Sequence, residues 1–458
     1  MQVESTLTEE TKRSQTAAPS VLTAETLIRG EKNSAEIKAG LFSGPLSGLV
    51  SSRFAAAFLA FFLLCAGLSK VNFDRMKPAD FAWNTWTTWA IKDFLSRPKT
   101  PDVVFLGSSL MLVPLDGVDA DYTNKTIDGA AHHRSLFFED HFKKYSGQTV
   151  NSFNFALPGE MPSDAYLITR FLLEGRKAPK VLVYGVGPRD FMDNLLPSPS
   201  ATDPFQYLSR FGDWSDHASL IVPDWQERFN FELTRLVYTY GQRSQLALDA
   251  NRIVDSVLNK ICPKPPSKLS DLELYALRRT NMPDYRPFEV APNTCLFRPT
   301  TDATRPKFLD NIDEYKKRYK TLKMETFNGQ MSFLNDILAI AKQRDIHVML
   351  YAMPITEINR GLLSDKSWEL YRSRLRQIAA RSGASFIDVQ EGGTFKFADF
   401  QDTVHLHSGG GAKLLDLMAK TIAADTVSQN KLGIAQTTEA PAAVRQVAAR
   451  ESKNGGAK

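Results

Sequence analysis

The sequence predicts an α/β fold: an open parallel sheet covered by helices on both faces, with a large helical and irregular insertion and one N-terminal membrane helix. Three observations carry this. From about residue 100, short apolar runs bounded by Gly, Pro or Asp recur along the chain. Amphipathic stretches of helical period separate them. Wholly apolar strands belong to sheets buried on both faces, and strand–helix alternation gives parallel pairing. The third observation is composition: 458 residues, 43% apolar and 23% charged, the ordinary balance of a globular chain.

Composition also excludes several classes. Collagen-like, coiled-coil and wholly disordered chains look different. The net charge of +5 comes from 56 basic and 51 acidic side chains, too small an excess to call for nucleic acid. Cys65, Cys262 and Cys295 are too few for a disulfide scaffold and lack zinc-site spacing. A mean hydropathy of -0.26 excludes a polytopic membrane protein but allows one span.

The elements follow in chain order. Residues 1–38 are polar and rich in Ser, Thr, Glu and Ala, and with the next few residues they read as a disordered tail, 1–49. The run Phe54–Leu68 is apolar, and 16 uncharged residues separate Arg53 from Lys70. With Arg53 able to snorkel, residues 50–70 read as a membrane anchor near the ~20-residue length a span needs. Cys65 within it reads as a buried thiol. Basic residues on both sides leave the orientation open. Strands are expected at Val103–Gly107, Val150–Leu157, Val181–Gly187, His347–Met353 and Ser385–Val389. Helices are expected at Ser163–Glu174, Thr326–Arg344, Ser367–Ser382 and Gly410–Ala424. Together they give an α/β domain over 100–425 of the flavodoxin-like sort, whose sites lie at carboxyl ends of strands. Residues 191–320 interrupt the alternation and are too long and aromatic for a connection. They read as an insertion over the sheet, with helices near Pro223–Tyr240 and Ser244–Leu258 and eight prolines between Pro263 and Pro306. Cys262 and Cys295 flank its irregular part, either as a disulfide closing a loop of roughly 30 residues or as two separate buried thiols. Residues 429–458 read as a second disordered tail.

Three short elements carry chemistry. Gly107-Ser108-Ser109 directly follows the first strand, where a sharp turn exposes a serine hydroxyl and the amides just beyond face developing negative charge. Asp402-Thr-Val-His405 precedes the last helix; its spacing lets the carboxylate orient one imidazole nitrogen while the other faces out. His407 is a competing base without an acid at that spacing. Asn154-Phe-Ala-Leu-Pro-Gly159 and Gly185-Val-Gly-Pro-Arg-Asp190 follow the second and third strands, beside the serine. Gly159 offers a backbone amide to an oxyanion and Arg189 a charged donor. His132, His133 and His141 beside Asp140 read as a surface helix, with no metal and no cofactor expected.

Ser109, Gly159, the third glycine-rich block and the terminal Asp402-x-x-His405 resemble the SGNH (GDSL-like) hydrolase superfamily over residues 102–425. The resemblance implies Ser109 as nucleophile with His405 and Asp402, and an oxyanion hole from the Ser109 amide, Gly159 and a third-block asparagine. The sequence departs from that pattern twice. Gly-Asp-Ser is Gly107-Ser108-Ser109, and Gly-x-Asn-Asp is Gly187-Pro188-Arg189-Asp190. Either Arg189 or Asn154 supplies the missing donor, or the hole is incomplete. With the anchor, these departures look like membrane-anchored proteins of bacterial envelope modification. That resemblance implies an esterase or O-acyltransferase on cell-envelope polysaccharide, taking a glycan or acyl-ester substrate beside a membrane-bound acyltransferase partner. It implies the inner membrane, one pass, with the catalytic domain outside the cytoplasm. The alternative is a binding or assembly protein that keeps the fold without catalysis.

Overall fold

The structure, a computed structural model, describes residues 53–72, 85–209, 211–222, 224–241, 253–254, 257–258, 260–262, 296–300, 307–391 and 393–434. The chain divides into two units, Met1–Ala60 and Phe61–Lys458. Of the first, 53–60 is described and is helical. Helix α1, Arg53–Asn72, overlaps the stretch 50–70 read as an anchor, and its side chains are described at Arg53 and within 55–67. Among the described residues no helix is long and apolar enough to cross a membrane.

The second unit continues with α2 (Trp86–Ser96), β1 (Val103–Gly107), α3 (Ser109–Thr123), β2 (Ile127–Asp128), α4 (Leu136–Ser146), β3 (Ser152–Asn154), α5 (Pro162–Phe171), β4 (Val181–Val186) and α6 (Arg189–Met192). Next come α7 (Asp203–Leu208), α8 (Ala218–Ile221), α9 (Trp225–Leu236), α10 (Tyr238–Gly241), β5 (Leu296–Phe297), α11 (Ile312–Arg318) and α12 (Met324–Gln343). The chain closes with β6 (His347–Ala352), α13 (Glu357–Arg360), α14 (Asp365–Ser382), β7 (Ser385–Asp388), α15 (Ser408–Ala424) and α16 (Thr426–Leu432).

Five strands form one parallel sheet in the order β3-β1-β4-β6-β7. In that sheet the second strand in sequence lies outside the first and the third begins the other half, which is the flavodoxin-like order. β1, β4 and β6 are buried at every position, as their unbroken apolar runs require in a sheet covered on both faces. α15 packs with α3 and α4 in one helical layer, and α12 packs with α5 and α14 in another. Phe94 of α2 meets Phe153 and Phe155 at 5.0 and 5.4 Å between ring centroids, closing the core at the β3 edge.

Three expectations change. The second strand pairs as a ladder only over Ser152–Asn154, but Phe155 and Leu157 still donate to Phe105 and Gly107 carbonyls, so the chain runs on beside β1. Helix α16 extends past residue 429, where a tail was expected; Asp425 caps it through the Ser428 amide, and Lys431 bonds the Asp345 carbonyl. The helix expected over Pro223–Tyr240 divides into α9 and α10 at Val237. β5, inside the inserted stretch, pairs antiparallel with β2, a small second sheet with no warning in the sequence pattern. The tail expected over 1–49, most of Ser244–Leu258 and most of the proline-dense stretch lie outside the described residues. Cys65 is a buried free thiol and Cys262 an exposed one; Cys295 lies outside the described residues.

Candidate active site

The site stands where the carboxyl ends of β1, β3 and β4 come together. β1 ends at Gly107 with φ +143°, and a Cβ there would lie 2.6 Å from the Gly185 carbonyl oxygen at the end of β4. Only glycine satisfies both the backbone angle and the approach. The chain then turns through Ser108, the N-cap of α3, and places Ser109 at the first position of that helix. The amide of Ser109 is one of the four that a helix start leaves without an internal partner, and it sits at the positive end of the helix dipole.

Asp402 and His405 reach Ser109 from the loop before α15. One Asp402 oxygen accepts the amides of Val404 (2.8 Å) and His405 (2.7 Å), which closes the turn. Its other oxygen accepts from His405 Nδ1 at 2.7 Å. His405 Nε2 then lies 2.8 Å from Ser109 Oγ. Burial pushes the Asp402 carboxyl up, but the His405 hydrogen bond and charge and the two amides outweigh it and hold it below the usual carboxylate value. The loop is braced from outside: Thr356, just past β6, donates to the Thr403 carbonyl through its amide (3.1 Å) and hydroxyl (2.8 Å), and Thr403 donates to Asn311.

Leu157-Pro158-Gly159-Glu160 forms a tight turn beside the serine, with the Glu160 amide donating to the Leu157 carbonyl at 3.1 Å and Gly159 at φ +73°. Pro then Gly at its centre is the pairing a type II turn needs. Arg189 opens α6 with its Nη2 3.7 Å from where a Gly159 Cβ would sit. Ser109, Gly159, Arg189 and His405 line one cavity of about 180 Å³. Ile355, Tyr315 and Tyr319 give it apolar walls, and Glu314 and Arg318 add charge.

Asn154 is a correction. It is buried away from this cavity, its Oδ1 accepting the Ala156 amide at 3.0 Å and its Nδ2 facing Asp116 at 3.5 Å. Folded into its own β3 turn, it does not line the cavity at Ser109. His407 is also spent elsewhere: it caps α15 through the Gly409 amide (2.9 Å) and donates from Nε2 to the Ala398 carbonyl (2.7 Å). His132 and His133 lie in the loop before α4 rather than on a helix, and only His141 is helical. Each meets a different carboxylate, Asp119, Asp93 and Asp416 respectively. Among the described residues no group of three or more His, Cys, Asp or Glu side chains could hold a metal ion.

The sequence reading missed two features of the site. The wall from α11 carries no motif; only the i, i+4 spacing of Tyr315 and Tyr319 hinted at an inward face. Beneath the turn lies a set of buried acids. Burial, then the neighbouring Asp164 and Asp190 charges, raise the Glu160 carboxyl far above its usual value. Burial raises Asp164 to about 7 and Asp190 to about 6, the latter against the pull of Arg189.

No protein-family model and no curated protein matches the sequence. Among solved structures, the chain is similar to a Bacteroides fragilis protein described as a candidate acylhydrolase, at 11% identity over 74% of this chain and 95% of that one. The TM-score is 0.31, and a likeness at that level carries no argument about this chain.

Proposed function

We propose that the protein is an SGNH-type serine esterase or O-acyltransferase working through an acyl-Ser109 intermediate. The observation that supports this most is the unbroken chain from Ser109 Oγ through His405 to the buried Asp402, in a cavity that also presents the Gly159 turn. Ser109 Oγ attacks an acyl carbonyl carbon while His405 Nε2 takes its proton. The ester C–O bond breaks, and the departing alcohol receives that proton. Water or a sugar hydroxyl then gives its proton to His405 and attacks the acyl carbon; the bond from that carbon to Ser109 Oγ breaks, the free acid or sugar ester leaves, and His405 returns the proton to Oγ. Asp402 holds the imidazole in the tautomer that leaves Nε2 free to accept. The Ser109 amide, the Gly159 amide and Arg189 Nη2 are the donors for the oxyanion, so the guanidinium replaces the missing asparagine.

The finer reading is a membrane-anchored enzyme of cell-envelope polysaccharide, at the inner membrane with its α/β domain outside the cytoplasm and a membrane-bound acyltransferase as acyl supplier. The exposed Phe58, Leu59, Phe61, Leu63 and Leu64 of α1 support an apolar surrounding for that helix. Protease accessibility of the domain in intact cells tests the orientation. The alternative, a non-catalytic binding protein of the same fold, is favoured by Arg189 standing where the family asparagine belongs. Hydrolysis of p-nitrophenyl acetate decides between them: Ser109→Ala and His405→Ala must abolish turnover. Unchanged turnover in Ser109→Ala sinks the enzymatic reading.

A further inference from the structure

The loop after β4 and helix α11 bracket the inserted segment, and they meet behind Arg189. Asp193, whose side chain is fully buried, sits between two guanidiniums: its Oδ2 accepts from Arg189 Nε at 3.0 Å and from Arg318 Nη1. Its Oδ1 accepts the Leu195 amide at 2.8 Å. Arg318 is itself held on α11 by Glu314, which accepts from Nε at 3.0 Å and from Nη2 at 2.6 Å. Asn194 ties the same two segments together. Its amide donates to the Arg318 carbonyl at 2.9 Å, and its side chain donates to the Arg318 and Thr321 carbonyls, each at 2.7 Å.

This arrangement constrains Arg189. Its Nε faces Asp193 and its Nη1 faces Asp190 at 3.5 Å, so the remaining Nη2 is the edge turned toward Gly159. An arginine has long, rotamer-rich geometry and donates usefully only when its planar fork is fixed. A preorganised donor costs nothing to reorient when the charge develops. Asp193 does not line the cavity, so it acts through Arg189 rather than on substrate.

We propose that Asp193, locked in place by Arg318, is a positioning residue that aims Arg189 at the oxyanion site; this rests on the esterase reading above. The test is a double-mutant cycle on p-nitrophenyl acetate turnover, with Asp193→Asn, Arg189→Gln and the pair, each checked for folding by thermal melt. Asp193→Asn in the otherwise unchanged chain lowers kcat about 10- to 100-fold and leaves KM within about twofold. In the Arg189→Gln background the same substitution costs less than about threefold, because the group it positions is gone. An equal loss in both backgrounds, or an unchanged kcat, overturns the positioning role while leaving the esterase reading intact. Absence of Ser109-dependent turnover in the wild type overturns both. Should Asp193→Asn not fold, Arg318→Gln enters the same cycle with the same expected non-additivity.

Discussion

Replacing Asp402 by Asn tests the proton path in isolation. The substitution preserves shape, and the local hydrogen bonds fix how the new amide sits. In the wild type one carboxylate oxygen already accepts two backbone amides, from Val404 and His405. An asparagine must keep its only oxygen there, because its NH2 cannot face two N–H donors. The NH2 then meets His405 Nδ1, now 2.7 Å from the second oxygen. That nitrogen must become the acceptor, so the ring proton moves to Nε2 and points at Ser109 Oγ. An imidazole so arranged cannot take the serine proton. Reversing the tautomer in a triad typically costs about 10⁴ in kcat, about 5.4 kcal/mol of barrier. The assay is p-nitrophenyl acetate turnover with KM determined separately, alongside a thermal melt showing that the turn remains folded. A fall of less than about tenfold in a folded Asp402→Asn protein would refute the argument that Asp402 sets the His405 tautomer.

The other predictions concern the oxyanion donor, the strand end and the buried acids. Arg189→Gln shortens the donor and removes its charge, and kcat, read well below the melting temperature, should drop about 100- to 1000-fold. The melt also falls, because buried Asp193 loses one of its two partners. A loss under about threefold would mean that the two backbone amides suffice. Gly107→Ala places a Cβ 2.6 Å from the Gly185 carbonyl at φ +143°, so a denaturant titration should show at least about 2 kcal/mol of lost stability. Asp164, raised to about 7 by burial, stays protonated in the folded state over a range where an unfolded aspartate has ionised. Between about pH 4 and 7 the native state therefore binds more protons, and stability falls as pH rises, by at most about 1.4 kcal/mol per unit. Asp164→Asn should flatten that part of the stability–pH curve; an unchanged slope would locate the proton elsewhere.

Much of the sheet was legible because β1, β4 and β6 are buried on both faces, and such strands must read as continuous apolar runs. The hydrogen-bonded set of Ser109, His405 and Asp402 was legible as a group because its members sit at strand and helix ends that local chemistry marks: glycine before Ser109, and a three-residue turn joining Asp402 to His405. Helix α3 was hidden. Pro114 lies inside it, and Gly117, Asp116 and Asp119 break its apolar stripe, yet its tertiary packing against α15 overrides those local preferences. Asn154 was misassigned for a related reason. It is the last residue of β3 rather than one that follows it, and a short asparagine side chain there folds back on its own backbone, which sequence spacing does not reveal. Arg318 and Asp193 were out of reach altogether. They lie 125 residues apart, and only the return of the inserted segment to the β4 loop makes them neighbours.

The central claim is that Ser109 is a nucleophile activated by His405. Labelling of the intact protein by a fluorophosphonate probe, with the modified peptide identified by mass spectrometry, tests it most directly. The account predicts a single adduct on Ser109, absent in Ser109→Ala and slowed in His405→Ala by several orders of magnitude. A folded wild-type protein that leaves Ser109 unmodified, or a His405→Ala variant labelled at the wild-type rate, would contradict it.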